Sequence, residues 1–284
     1  MIKIVECPRD AMQGIKEFIP TDLKAAYLNT LLQVGFDTLD FGSFVSPKAI
    51  PQMQDTAQVL EKLDLSSTST KLLAIVANQR GAEQACTFEQ IAYVGFPLSV
   101  SQEFQQRNTN KSIEDSLESV AQIQELCQKH NKKQVVYLSM AFGNPYAEPY
   151  SPEIVEKWAE KLKSLGIEIL ALSDTIGVAK PENIETLFAH LSNTIPEIEW
   201  GVHLHSNPHT AAEKVQAAYR AGCRRFDGAL RGFGGCPMAK DELTGNIATE
   251  TILSVLEQGG APMLYSKEFL EKSLELSQKV FAYH

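Results

Sequence analysis

Two histidines separated by one residue, His203 and His205, are the part of this sequence most suited to chemistry. In a β-strand, residues i and i+2 point to the same face, so the segment His-Leu-His directs two imidazoles the same way. Converging imidazoles suit a divalent cation, whereas a single histidine is more often a hydrogen-bonded core residue. The spacing therefore predicts a metal site, with a pair of buried core histidines as the alternative.

Further candidate ligands lie near the two ends of the chain. Asp10 can supply an anionic oxygen, and Asn246, which follows Gly245, can supply an amide oxygen. A carboxylate with two imidazoles suits Mg²⁺, Mn²⁺, Fe²⁺ or Zn²⁺, and an added amide oxygen favours octahedral Mg²⁺ or Mn²⁺. Taken alone, a salt bridge or a helix cap explains Asp10, and a turn explains Asn246.

A thiol lies in the glycine-rich segment GFGGCP, at Cys236. Glycines free the backbone, so such a segment can close over a ligand. A thiol there can act as an acid, a base or a nucleophile if its pKa is tuned. The other four cysteines are interpreted as inert buried thiols, and they are Cys7, Cys86, Cys127 and Cys223.

The elements that must position these groups alternate along the chain. Almost continuously apolar runs such as LLAIVA and QVVYLSMAF are typical of parallel strands covered by helices. Strands are predicted over residues 2–7, 38–42, 71–77, 91–98, 134–142, 168–174, 199–205 and 224–230. Helices are predicted over residues 21–34, 112–130, 151–165, 181–191, 208–221, 247–258 and 266–281.

This alternation predicts a parallel sheet in one catalytic domain over residues 1–284, since no Pro/Gly/Ser-rich linker interrupts it. We expect an α/β fold, a (β/α)8 TIM barrel with an extra C-terminal helix, and a doubly wound open sheet is the alternative. Catalytic groups of such barrels lie at the carboxyl ends of the strands. The polar candidates fall there: Arg9 and Asp10 after strand 1, Asp40 at strand 2, Asp174 at strand 6, and the histidine pair at strand 7.

Composition limits the class of function. The chain has 26 Lys and Arg against 35 Asp and Glu, a net charge of −9, which argues against a nucleic-acid or anionic-membrane binder. Five widely spaced cysteines favour reduced thiols in a cytoplasmic protein. Charged residues within the first ten positions argue against a signal peptide, and no apolar run is long enough to span a membrane.

Seven segments stand out in order along the chain: PRDAMQ (8–13), SFVSPKAIPQM (43–53), SQEFQQRNTNKS (101–112), LSDTIGVA (172–179), HLH (203–205), GFGGCP (232–237) and GNIATE (245–250). Together they resemble the 3-hydroxy-3-methylglutaryl-CoA lyase family, a group of metal-dependent TIM barrels. The resemblance implies cleavage of 3-hydroxy-3-methylglutaryl-CoA, or a related 3-hydroxyacyl-CoA, to acetoacetate and acetyl-CoA. It also implies a divalent cofactor (Mg²⁺ or Mn²⁺), an acyl-CoA substrate, a homodimer, and a place in leucine degradation and ketone-body formation.

The resemblance assigns roles at the matching positions. The implied metal ligands are Asp10, His203, His205 and Asn246. The implied catalytic residues are Arg9 at the thioester enolate, Asp40 and Asp174 in proton transfer, His203, and the loop thiol Cys236. The implied substrate contacts are Gln13, Ser43 and Lys48. Asp40 departs from the pattern because the family has the longer Glu there, and HLHSN departs from the family's HCHD.

Other functions fit parts of the pattern. A synthase of the same barrel group would condense an acyl-CoA with a 2-oxo acid, but such enzymes have longer chains. A non-haem Fe(II) oxygenase also uses two histidines and a carboxylate. A barrel that has lost catalysis could serve as a binding scaffold. Lys48, Arg107 and Lys111 are candidates for the CoA phosphates, with solvated surface charge as the alternative.

Overall fold

The computed structural model describes residues 1–235 and 244–282. Eight parallel strands follow one another around a closed barrel, because β1 pairs with β8 as well as with β2. The strands are β1 (Lys3–Glu6), β2 (Thr38–Ser43), β3 (Lys71–Ile75), β4 (Ile91–Ser99), β5 (Lys133–Ser139), β6 (Ile169–Asp174), β7 (Glu199–Ser206) and β8 (Arg225–Gly228). The predicted TIM barrel is confirmed, and the open sheet is excluded.

Helices surround the barrel. They are α1 (Pro8–Gln13), α2 (Thr21–Leu32), α3 (Thr56–Glu61), α4 (Gln79–Cys86), α5 (Gln102–Thr109), α6 (Ile113–Lys129), α7 (Pro152–Ser164), α8 (Pro181–Thr194), α9 (Ala211–Arg220), α10 (Thr249–Gln258) and α11 (Lys267–Val280). All seven predicted helices are present. Four further helices, α1, α3, α4 and α5, were not predicted, because they span six or eight residues and have too few turns for a periodic pattern.

Several predicted boundaries were wrong for local reasons. The strand predicted over 134–142 ends at Ser139, because Met140 has a left-handed φ of 61°. The helix predicted from residue 247 begins at Thr249, because Ala248 forms a β-bridge with Ala229. Among the described residues, no helix is long and apolar enough to cross a membrane.

Alternating side chains divide the apolar residues into two clusters. One cluster lies inside the barrel and contains Leu73, Ile75, Tyr93, Val135, Tyr137, Ile169 and Ala171. A larger cluster fills the layer between the strands and the helices. Because direction alternates along each strand, Ile169 and Ala171 place Ser173 inward on β6 and Asp174 outward. The same rule directs both histidines of β7 inward.

A glycine makes room for a charge inside the barrel. A Cβ atom on Gly201 would lie 2.9 Å from Cδ of Arg225, whose side chain is fully buried. The Arg225 Nη1 atom lies 3.7 Å from Glu199 Oε1, close enough for an ion pair. The floor of the barrel is therefore polar. Charged side chains at this depth would be unfavourable in a purely apolar core, because they would lose their hydration.

The C-terminal helix α11 joins the barrel to the segment that follows β8. Phe281, just after α11, meets Tyr27 of α2 edge-on and stacks on Phe233, with ring centroids 6.1 and 4.2 Å apart. Arg231 Nε donates to Ser277 Oγ of α11 at 2.9 Å. The predicted extra helix therefore supports the start of the glycine-rich segment.

Glu6 of β1 ties the two ends of the chain together. Its side chain is fully buried, and its carboxylate accepts hydrogen bonds from the Leu230 backbone N–H and the Thr249 hydroxyl. Burial raises the pKa of Glu6 from 4.5 to about 8, although both hydrogen bonds oppose the shift. The folded protein therefore favours a protonated Glu6 at neutral pH.

We predict that Glu6 makes the fold less stable as the pH rises. A folded-state pKa above the unfolded value gives a stabilisation that is complete below about pH 4.5 and is lost as the pH rises to about 8. Glu6→Gln removes this dependence, so the variant should gain stability over the wild type across that window, on the order of a few kcal/mol. Thermal unfolding of both proteins between pH 5 and pH 8.5 measures it; parallel curves would contradict the prediction.

Candidate active site

A cavity of about 440 Å³ opens at the carboxyl ends of the barrel strands. Its polar lining includes Arg9, Asp10, Gln13, Asp40, His203 and His205, and its apolar lining includes Val45, Ala49, Ile50, Ile75, Val76 and Pro97. The cavity thus has a charged side and an aliphatic side. This combination suits a small organic ligand with a polar reacting end.

Three side chains in the cavity form a group that could hold a metal ion. One ligand atom each from Asp10, His203 and His205 lies within 4.8 Å of the others. Asp10 lies in the short helix after β1, and the histidines end β7. The two segments lie on either side of β8, which pairs with both β1 and β7.

His205 has the properties of a metal ligand. Its Nδ1 atom lies 3.1 Å from the Thr175 carbonyl oxygen, which can only accept, so Nδ1 carries the hydrogen. Its Nε2 atom is buried and has no hydrogen-bond partner within the described chain. Burial and the nearby His203 lower the pKa of His205 to about 4. A neutral imidazole with an unpartnered buried nitrogen fits a divalent cation.

His203 is oriented by a buried acid. Its Nδ1 atom lies 3.4 Å from Asp227 Oδ2, and Asp227 is 3% exposed. Burial alone would lower the pKa of His203, but the hydrogen bond and charge of Asp227 raise it. Cys7 joins His203 and Asp227 in a second group of potential ligands within 4.8 Å, which shares His203 with the first. Asp227 thus engages Nδ1 at one edge of the imidazole and leaves Nε2 for a ligand.

Asn246 lies beside the same centre on a short strand, β9 (Gly245–Asn246), which runs antiparallel to β7 and pairs Asn246 with His205. Its Nδ2 atom donates to Asp10 Oδ2 at 2.6 Å and to the Phe233 carbonyl oxygen at 2.9 Å. Gly234, with φ of +83°, permits this approach, since a Cβ there would lie 2.9 Å from Nδ2. The structure therefore brings all four predicted ligands together.

Arg9 lies beside the candidate metal ligands and is held by two carboxylates. Its guanidinium donates to Asp40 through Nε and Nη2, with the shortest contact at 2.6 Å, and to Asp10 through Nη1 at 3.1 Å. Nη1 also donates to Gln13 Oε1 at 2.9 Å. Arg9 is 8% exposed, so the pairing takes place in a region of low dielectric.

The two carboxylates beside Arg9 have opposite pKa shifts. Burial raises the pKa of Asp40 to about 6, although Arg9 opposes the shift. Burial acts in the same direction on Asp10, but the charges of Arg9 and the histidines hold the pKa of Asp10 at about 2. Asp10 is therefore ionised at neutral pH, and Asp40 can exchange a proton near neutrality.

Three other predicted site residues, Asp174, Ser43 and Lys48, do not line the cavity. Asp174 points outward from β6 and bonds Lys214. Ser43 is buried, with its hydroxyl accepting from the Val45 N–H at 3.1 Å. Lys48 is exposed and absent from the cavity lining. Cys236 lies outside the described residues, so its predicted role stays a prediction.

The sequence reasoning missed three groups that act on the histidines: Asp227, Thr175 and Lys214. Alternation along β8 gave a usable signal for Asp227, because a polar residue two positions after Arg225 faces the same barrel interior. No comparable signal marks Thr175, which contributes a backbone carbonyl, or Lys214, which lies in a helix with other charged residues.

The fold and the cavity define the chain as a (β/α)8 barrel with a carboxylate–histidine group suited to a divalent cation at its active end. The chain belongs to the HMGL-like family, whose profile matches residues 2–279. The resemblance found in the sequence is confirmed.

Curated relatives are similar over most of their length. Hydroxymethylglutaryl-CoA lyase YngG of Bacillus subtilis is 36% identical over 259 residues, which cover 88% of this chain and 83% of the relative. A 3-hydroxy-3-isohexenylglutaryl-CoA/hydroxymethylglutaryl-CoA lyase of Pseudomonas aeruginosa is 33% identical, over 90% of this chain and 84% of the relative.

Solved structures have the same fold. The HMG-CoA lyase of Bacillus subtilis superposes with a TM-score of 0.92 at 34% identity, covering 99% of this chain and 94% of that one. An HMG-CoA lyase of Acinetobacter baumannii in complex with coenzyme A and 3-methylmalate has a TM-score of 0.88 at 29% identity, covering 99% and 92%.

We predict that His205→Ala removes tight binding of Mn²⁺, because it deletes the unpartnered buried nitrogen. Isothermal titration of metal-free protein with Mn²⁺ measures the effect, and His209→Ala is the matched control, since His209 is an exposed histidine four residues away. Unchanged Mn²⁺ affinity in His205→Ala, or an equal loss in both variants, would contradict the assignment.

Proposed function

We propose that this protein is a divalent-metal-dependent carbon–carbon lyase that cleaves 3-hydroxy-3-methylglutaryl-CoA to acetoacetate and acetyl-CoA. The observation that supports this most is the placement of the Arg9 guanidinium directly beside Asp10 of the metal group. The reaction needs a group that lowers the pKa of the substrate's 3-hydroxyl. Next to it, the reaction needs a group that stabilises the negative charge that develops on the thioester oxygen. The names of the family's relatives support the substrate.

Asp10, His203, His205 and Asn246 are the residues that would hold the metal, and we propose Mg²⁺ or Mn²⁺ because two of the four donors are oxygen ligands. When bound, such an ion supplies Lewis acidity that lowers the pKa of a coordinated hydroxyl. Asp10 contributes full negative charge, since its pKa is about 2. The neutral state of His205 keeps its Nε2 lone pair available at neutral pH.

In the proposed reaction, the 3-hydroxyl of the substrate loses its proton and the C2–C3 bond breaks. The electron pair moves to the thioester oxygen as an enolate, and C2 then takes up a proton to give acetyl-CoA. Arg9 faces the cavity with a fixed direction and stabilises the enolate oxygen by charge and hydrogen bonding. Asp40, with a pKa of about 6, can hold a proton next to this guanidinium.

The remaining lining of the cavity suits the acyl end of the substrate. The aliphatic lining around Val45 and Ile50 can cover the substrate's methyl group, and Asn108 and Thr109 at the end of α5 contribute polar contacts. We propose that Gln13 contacts the substrate. Ser43, Lys48, Asp174 and Cys236 stay candidates from the resemblance.

We also propose one catalytic domain over residues 1–284, a homodimer that contacts neither nucleic acid nor membrane, and a cytoplasmic location. The free thiols of Cys7, Cys86, Cys127 and Cys223 support a reducing compartment.

The direct test is a lyase assay on the purified protein. We expect 3-hydroxy-3-methylglutaryl-CoA to yield acetoacetate and acetyl-CoA, with activity lost in a metal chelator and restored by Mg²⁺ or Mn²⁺. Incubation with acetyl-CoA and several 2-oxo acids separates this activity from a condensing synthase, and an assay without O₂ separates it from an oxygenase. Cleavage that persists after verified metal removal would refute the metal requirement.

Arg9→Met should lower kcat by about 10²–10³-fold, because it removes the charge that stabilises the enolate while keeping much of the side-chain volume. The barrel should remain folded, since Asp40 can become protonated in the variant. Steady-state kinetics and far-ultraviolet circular dichroism measure the two effects. Near-normal turnover in a folded, metal-loaded variant would remove Arg9 from the mechanism.

A further inference from the structure

The carboxylate of Asp174 is engaged on the side of β6 that faces away from the cavity. Its Oδ1 atom accepts the Val178 N–H at 2.8 Å, and its Oδ2 atom accepts the Ala179 N–H at 3.1 Å and the Lys214 ammonium at 2.9 Å. The residue is fully buried. Three donors converge on this carboxylate, which leaves it poorly placed to exchange a proton with a substrate in the cavity.

The ammonium of Lys214 is equally well satisfied. Besides Asp174 Oδ2, it donates to the Gly177 carbonyl oxygen at 3.1 Å and to the His205 carbonyl oxygen at 2.9 Å. An ammonium has three N–H donors, so every one has an acceptor. Lys214 is 3% exposed, and its position in α9 lets it join the loop after β6 to the end of β7.

This ion pair reaches His205 by two routes. Lys214 holds the backbone of His205 directly, and Asp174 fixes the loop that contains Thr175. The Thr175 carbonyl accepts the Nδ1–H of His205, and the Thr175 hydroxyl accepts the Met140 N–H at 2.9 Å. The tautomer and the direction of the His205 ring therefore depend on a loop that the ion pair anchors.

We infer that Asp174 and Lys214 are positioning residues that orient His205 for the metal, and that Asp174 takes no direct part in proton transfer. This inference rests on the metal-dependent function proposed above. On this inference, Lys214 holds the backbone of His205, and the carboxylate at the end of β6 is needed to pair with Lys214 and to anchor the loop that follows. Partners that orient a metal-bound histidine commonly affect metal affinity about 10–100-fold.

The experiment is a titration of metal-free protein with Mn²⁺ alone, followed by calorimetry and by the electron paramagnetic resonance signal of free Mn²⁺. We expect Lys214→Met and Asp174→Asn each to weaken Mn²⁺ binding about 10–100-fold. The double variant carries no unpaired buried charge, and we expect it to weaken Mn²⁺ binding by about the same factor as either single variant. It keeps the test valid if a single variant fails to fold.

Lys24→Met is the matched control, because Lys24 forms another buried ion pair, with Asp55 at 2.7 Å, outside the cavity lining. It should lower the unfolding temperature and leave the Mn²⁺ affinity unchanged. Wild-type Mn²⁺ affinity in folded Lys214→Met would overturn the inference. So would a loss of kcat in Asp174→Asn at unchanged Mn²⁺ affinity, since that pattern indicates proton transfer. If the wild type binds Mn²⁺ but does not cleave the carbon–carbon bond of 3-hydroxy-3-methylglutaryl-CoA, the proposed function fails and the positioning role is still measured.

Discussion

The buried guanidinium of Arg9 between two carboxylates is the interaction on which the rest of the site depends. A charge in this environment is unfavourable unless it is paired, and Arg9 has both Asp40 and Asp10 within hydrogen-bond distance. Two carboxylates facing one guanidinium leave an excess of negative charge. The histidines do not offset it fully, since His205 has a pKa of about 4 and is neutral. A divalent cation is the species whose charge and ligand preference match this excess.

The supporting residues follow from the need to hold the two imidazoles in one direction. Asp227 fixes His203, the Thr175 carbonyl fixes His205, and the amide of Asn246 fixes Asp10. Each support comes from a different strand or loop, so the barrel acts as the frame that fixes the distances. Arg225 inside the barrel is offset by charge, since it lies 3.7 Å from Glu199, although its guanidinium nitrogens have no hydrogen-bond partner among the described residues.

The barrel and most of the metal group could be predicted from the sequence because their signals are local. Apolar runs identified all eight barrel strands, and the i, i+2 spacing identified His203 and His205. The direction of Asp174 was harder, since its position at a strand end says nothing about its face until a neighbour such as Ala171 is known to point inward. Lys214 could not be assigned because its three acceptors come from two other elements. The left-handed backbone of Met140, which ended β5 early, also depends on tertiary contacts.

The hydrogen bond from Asn246 to Asp10 joins residues 236 positions apart, and that from Thr249 to Glu6 joins residues 243 apart. During synthesis, the first strand therefore emerges long before the strand that closes the ring against it. Contacts between residues so far apart in sequence form slowly. Until they form, the edge of β1 that later pairs with β8 is unpaired. The candidate metal ligands consequently come together only after β8 has paired with β1. A translation product that lacks β7 and β8 cannot assemble them.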